Sequence, residues 1–136
     1  MQLVMLCREM DYKQFGPQIV FKRLIDDLKE LEIQGFPFED DHLKCRLYAI
    51  AGDNLGSHGI GGFTENFSMS EHFCRYCLVS RDAFHSNPGK IGTIRTPQNY
   101  SDTVQTLNED PSTVISDGIK SDSVFNQLNK FHVCCV

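Results

Sequence analysis

The chain has 136 residues and a mass of 15.5 kDa, which at roughly 100 to 200 residues per domain allows one domain, or one small domain with an appendage. With 40% hydrophobic and 23% charged residues, it has the composition of a folded globule and not of a disordered tail, and no apolar run approaches the roughly 20 residues of a membrane span. Thirteen Lys and Arg against eighteen Asp and Glu give a net charge of −5, shared between the two halves, so a basic surface for gripping nucleic-acid phosphates is not expected.

The opening MQLVMLC has neither a basic leader nor a small-residue cleavage site. The six cysteines are therefore expected in an intracellular, soluble chain, where thiols or a metal site are the usual use of cysteine.

In chain order, Leu3 to Cys7 is a compact apolar run suited to a buried strand. A polar segment, Arg8 to Gln14, leads to Gly16 and Pro17, and Pro favours a first helical position. From Gln18 to Ile33 the apolar residues Val20, Phe21, Leu24, Ile25, Leu28 and Leu31 recur at helical spacing. Lys22/Asp26 and Arg23/Asp27 supply opposite-charge pairs four apart. Gly35 reads as the helix stop. Phe36 to His42 reads as an acidic connector, and Lys44 to Ala51 as a central strand buried on both faces. Strand, helix, strand is the unit of a parallel α/β sheet.

After Asp53 the texture changes to a glycine-rich run and then to aromatic and polar residues without sustained periodicity, which places a boundary there: residues 1–53 and residues 54–136. Short helices are expected within Ser70 to Phe84, Gln98 to Asn108 and Ser121 to Lys130, with a Gly, Pro and Ser loop from Ser86 to Pro97.

Asp53 is the most informative carboxylate, because ligands and catalytic groups gather at the ends of central strands in open α/β sheets. It could hold Mg²⁺ or Mn²⁺, or it could simply cap the turn out of the strand. The run GDNLGSHGIGG lacks the Gly-Lys-Ser/Thr ending of a phosphate loop.

Cys74-Arg75-Tyr76-Cys77 is half of a zinc site, a redox pair or two small buried apolar residues. Zinc leads, because tetrahedral Zn²⁺ takes four thiolate or imidazole ligands and His132 and Cys134 supply a second pair. Cys135 competes with Cys134, and His58, His72 and His85 are reserve ligands. His42 reads as a residue of a solvated turn. Cys7 and Cys45 read as packing residues.

The block AIAGDNLGSHGIGGFTENFSMSEHFCRYC, with SDGIKSDSVFNQLNKFHVC after it, resembles a family of animal transposon-encoded proteins. These look like cut-and-paste transposases with a ribonuclease H-like core, distantly similar to the CACTA group. The resemblance implies a partial ribonuclease H-like core over residues 1–53, with Asp53 as the second acidic residue of its catalytic metal site. It also implies a zinc-binding insertion over residues 54–136 holding Cys74, Cys77, His132 and Cys134. DNA would be the substrate, the nucleus the location, and strand cleavage and transfer the reaction. The strands and carboxylates that should accompany Asp53 do not appear, so the resemblance implies an internal piece, inactive in cleavage by itself. A small zinc-binding module that contacts a protein partner, or a transposon remnant without function, stands as the alternative.

Overall fold

The computed structural model describes residues 5–134, which combine helices with a small two-stranded sheet. The polar segment after Cys7 is helical: α1 spans Glu9–Val20, with Glu9 and Asp11 in its first turn, where carboxylates suit the positive end of a helix. Arg8 pairs with Asp11 at 2.8 Å and Lys13 with Glu9 at 2.6 Å along its exposed side. Gly16 (φ 75°, ψ 165°) interrupts the helical path and Pro17 restarts it, the break expected from these two residues.

A turn at Phe21 leads into α2, Lys22–Ile33, so the helix expected from Gln18 to Ile33 forms with one interruption. Its exposed side carries the anticipated pairs, Lys22 to Asp26 at 2.7 Å and Arg23 to Asp27 at 3.1 Å, and it ends before Gly35 (φ 75°). The acidic connector is a hairpin. Strand β1 (Phe36–Phe38) runs antiparallel to β2 (Asp41–Leu43), with Phe36 opposite Leu43, around a turn in which Glu39 adopts φ 53°.

Neither run expected as a core strand forms one among the described residues. Leu3 and Val4 lie outside them, and Met5 to Cys7 carries no ladder. Lys44 to Ala51 also lacks a ladder, because no described strand lies alongside it to accept its backbone groups. It is anchored instead by two side chains, Leu47 and Ile50, while Tyr48 is 81% exposed. The parallel strand-helix-strand unit is therefore not what these residues build.

The glycine-rich run after Asp53 contains an unexpected helix, α3 (Asn54–Ile60). Within Ser70 to Phe84 only the end is helical, as α4 (Arg81–Ser86), and α5 (Pro97–Glu109) matches the helix expected from Gln98. Thr96 and Asn99 close a reciprocal cap at its start, with Pro97 at the first position. Of the helix expected from Ser121 to Lys130 only a 3₁₀ turn forms, Val124–Gln127, and the chain leaves it in extended conformation at Leu128.

Two apolar clusters organise the chain. In the first, Ile25 of α2 packs with Val124, Phe125, Leu128 and Phe131, joined by Leu47 and Ile50. It draws on residues from both sides of Asp53. In the second, Phe63, Tyr100 and Ile119 are at most 1% exposed and are flanked by Val104, Leu107, Val133 and Cys134. No helix among the described residues is long and apolar enough to cross a membrane.

Candidate metal centre

The Cys74 to Cys77 segment is held by a short antiparallel strap. Leu78 N donates to Thr93 O at 2.8 Å and Arg95 N to Tyr76 O at 2.9 Å, with Cys77 paired opposite Ile94. The chain opposite can come this close because Gly92 has no side chain: a Cβ there would run into Val79 N and the Leu78 carbonyl group.

That closeness aims backbone donors at sulfur. Tyr76 N donates to Cys74 Sγ at 3.4 Å. Burial pushes the Cys77 thiol up, but the N–H groups of Gly92 and Val79, the Cys74 side chain and the Arg95 charge outweigh it and hold the thiol below its ordinary value. Cys77 is buried. Cys74 is half-buried and lines a hollow with His58, Phe67 and Phe73, which leaves its sulfur reachable. None of the described cysteines is in a disulfide. At Cys77 the lowered pKa favours the thiolate, the form that binds metal.

Cys134 packs against the cluster of Phe63, Tyr100 and Ile119, and Arg95 lies between that cluster and the backbone of the cysteine pair. The Arg95 guanidinium lies over the Phe63 ring, 5.3 Å from its centroid. It donates from Nε to Cys74 O at 2.9 Å and from Nη2 to Asp117 O at 2.5 Å. Gly118, next to Asp117, allows this approach, since it has φ 76° and a Cβ on it would collide with His72 O. Burial pulls the Arg95 pKa down, and Cys134, Asp117, Cys74 and Cys77 are the groups that push back.

His132 is placed differently from a ready ligand. Its ring stands edge-on to Tyr100 at 5.2 Å, and its Nδ1 accepts the Cys134 backbone N–H at 3.2 Å. With Nδ1 so engaged, Nε2 carries the proton of the neutral ring, so a lone pair for a metal requires the ring to turn. Burial pulls its pKa down, which favours the neutral ring. Among the described residues, no three His, Cys, Asp or Glu side chains are gathered closely enough to hold a metal as they stand. Cys135 lies outside the described residues. Thiol and imidazole are donor types that Zn²⁺ takes, and of the expected set Cys74, Cys77, His132 and Cys134 the pair in side-chain contact here is Cys74 with Cys77.

The other candidates are engaged in the fold. The Asp53 carboxylate caps α3, accepting from Gly56 N at 2.6 Å on an exposed turn. His58 is 3% exposed, with Nδ1 2.7 Å from Asn54 O and Nε2 3.0 Å from Phe73 O, so both nitrogens face carbonyl oxygens. His72 lies 3.4 Å from Val79 O through Nδ1 and 3.9 Å from the Asp117 carboxylate through Nε2. His85 closes α4. Cys7 and Cys45, expected as packing residues, are exposed.

Sequence reasoning missed Arg95 and Gly92. The run Ile91-Gly92-Thr93-Ile94-Arg95 carried a signal for them: β-branched residues around a glycine mark a short strand in close contact with other backbone. No family model matches the chain, and no curated protein or solved structure matches it significantly.

Proposed function

We propose that this chain is part of a transposase-like protein of the ribonuclease H-like kind, and that residues 54–136 act in it as a zinc-binding insertion. The observation that carries the metal reading is the Cys74/Cys77 pair, with the Tyr76 N–H directed at the Cys74 sulfur and the Cys77 thiol held below its ordinary value. Zn²⁺ would supply a structural link from this pair to Cys134, with His132 joining after its ring turns, and so would tie the strap to the C-terminal segment. The transposase reading is supported by the long shared block quoted above; DNA as partner and a nuclear location belong to that same proposal.

Asp53 would be one carboxylate of a Mg²⁺ or Mn²⁺ site that two-metal phosphoryl transfer builds from several. Purified chain supplied with Mg²⁺ or Mn²⁺ is expected to leave duplex DNA uncut. Cleavage that disappears in Asp53→Ala would overturn this. The zinc reading is tested by metal content: about one Zn²⁺ per chain in the parent and none in a Cys74→Ser, Cys77→Ser variant. Full metal content in that variant would sink it.

A second reading has its own observation. Tyr76, Ile91 and Ile94 are 52%, 73% and 59% exposed on or beside the strap, an apolar surface a protein partner could cover. On this reading the zinc module serves protein contact.

A further inference from the structure

A hollow of about 120 Å³ opens where the two apolar clusters meet. Its apolar lining draws on both: Ile50, Ile60 and Phe131 belong to the first, Phe63 to the second, and Val133 packs on each. One charged side chain, Arg75, stands in the wall beside Tyr76.

The fold leaves this guanidinium incompletely used. Its Nη2 donates to the Tyr76 hydroxyl at 2.6 Å, and its central carbon lies 4.7 Å from the centroid of the same ring, so the side chain is folded back on its neighbour. Its Nη1 is buried and makes no hydrogen bond with any described residue. Among the described residues no carboxylate comes within ion-pair distance of it. A buried N–H without an acceptor works against the fold. A guanidinium without a counter-charge attracts an oxyanion, and its planar fork suits the two oxygens of a carboxylate.

We propose that this hollow binds a small carboxylate carrying one ring or one short branched chain, with the apolar part among Ile50, Ile60 and Phe131 and the carboxylate on Arg75. Size sets the apolar part. A cavity of about 150 Å³ holds a benzene ring, so this hollow takes a single ring and is too small for a helix or a run of peptide. Charge sets the head group, since a neutral ligand leaves the guanidinium unmatched. Nη1 reaches the carboxylate when the Arg75 side chain turns off the Tyr76 ring. That turn exchanges a hydrogen bond to a neutral hydroxyl, on a residue 52% exposed, for a pair in which both partners are charged, the stronger of the two. The larger hollow on the other side of Arg75 and Tyr76 includes Cys74 and belongs with the cysteine pair. The hollow proposed here contains no candidate metal ligand, so it stands or falls apart from the zinc reading.

The test is a chemical-shift titration of the full chain with benzoate and with isovalerate, and with benzamide as a neutral ligand of nearly the shape of benzoate. Benzoate is expected to bind with a dissociation constant on the order of 1 mM or tighter, as suits so small a ligand, and to shift the amides of Ile50, Gly61 and Arg75. Benzamide is expected to bind about tenfold more weakly or worse, and Arg75→Gln to weaken benzoate by a similar factor, the usual effect of losing a charged hydrogen-bonding partner. Tyr76→Phe, which removes only the hydroxyl that Nη2 holds, is expected to keep or improve the affinity. Ala49→Phe, on the exposed rim, is expected to fill the hollow and abolish binding with the fold retained.

A chain that binds neither benzoate nor isovalerate overturns the site. Equal affinity for benzoate and benzamide, or undiminished affinity in Arg75→Gln, overturns the role of the charge. Full binding in Ala49→Phe places the ligand elsewhere and overturns the assignment to this hollow. A short peptide ending in phenylalanine with a free carboxylate, binding more than about tenfold tighter than benzoate, overturns the small-molecule occupant in favour of a protein C-terminus. Should Arg75→Gln fail to fold, the benzamide comparison and Ala49→Phe decide.

Discussion

The Phe21 ring meets the Phe125 ring with centroids 5.2 Å apart and planes tilted by 59°, joining the turn between the two N-terminal helices to the 3₁₀ turn of Val124–Gln127. Phe125 is 4% exposed and also faces Phe131 at 6.4 Å. Truncating it removes the centre of the first cluster. Phe125→Ala is expected to cost about 3 kcal/mol or more of unfolding free energy, the usual loss for a buried phenylalanine, read from urea denaturation. A change under about 1 kcal/mol would mean that α2 and the C-terminal turn do not share a core.

Tyr100 organises the second cluster through its hydroxyl. It stands 2.9 Å from Gly61 O and 3.1 Å from Ser121 O as donor, and it accepts from Ser123 N at 3.1 Å. Tyr100→Phe keeps the ring but leaves the buried Ser123 N–H unmet, an expected loss of about 1 to 3 kcal/mol. Burial is the main force that pushes the phenol above its ordinary value of 10.0. The folded state therefore holds this proton more tightly than the unfolded chain. Its contribution is fully present below pH 10 and falls as the pH rises further. An absorbance titration is expected to show Tyr100 ionising only as the protein unfolds. Ionisation of all tyrosines before the unfolding transition would contradict the burial.

Asp53 can be tested as a cap independently of any catalytic role. Asp53→Ala removes the acceptor for Gly56 N and is expected to cost about 1 kcal/mol, whereas Asp53→Asn, another good cap, costs a few tenths. Neither substitution is expected to change zinc content. A loss of zinc in both would place Asp53 near the cysteines.

Gly92→Ala tests the strap. The added methyl group meets Val79 N and the Leu78 carbonyl group, backbone that can yield only if residues 76–78 and 93–95 separate. Hydrogen exchange is expected to speed up at Leu78 and Arg95, and zinc affinity to fall. Unchanged exchange at both amides would show that the strap accommodates a side chain.

The local rules carried much of the chain. The helix over residues 18–33, its stop at Gly35 and the helix from Pro97 were legible because apolar spacing and capping residues are written within a few positions of each other. Lys44 to Ala51 misled for a physical reason: an apolar run states that side chains seek burial, and Leu47 and Ile50 achieve it by packing on α2 and the C-terminal residues with no strand alongside. The hairpin at Phe36 was hidden by Pro37 and by two charged residues in its turn, a composition that also fits a loop. At the candidate site the Cys74/Cys77 pair was legible from spacing. The place of Cys134 on the Phe63 cluster was not, because it depends on contacts between segments far apart in the chain.

The first cluster also sets a schedule for the chain as it is made. The buried partners of Ile25 in its cluster are Val124, Phe125, Leu128 and Phe131, so at about 5 to 20 residues per second the ribosome leaves the apolar side of α2 without them for roughly 5 to 20 s before they are even synthesised. During that interval the helix is a natural client for a chaperone, and a stop anywhere before residue 124 yields a product whose α2 has lost the residues it is built to meet.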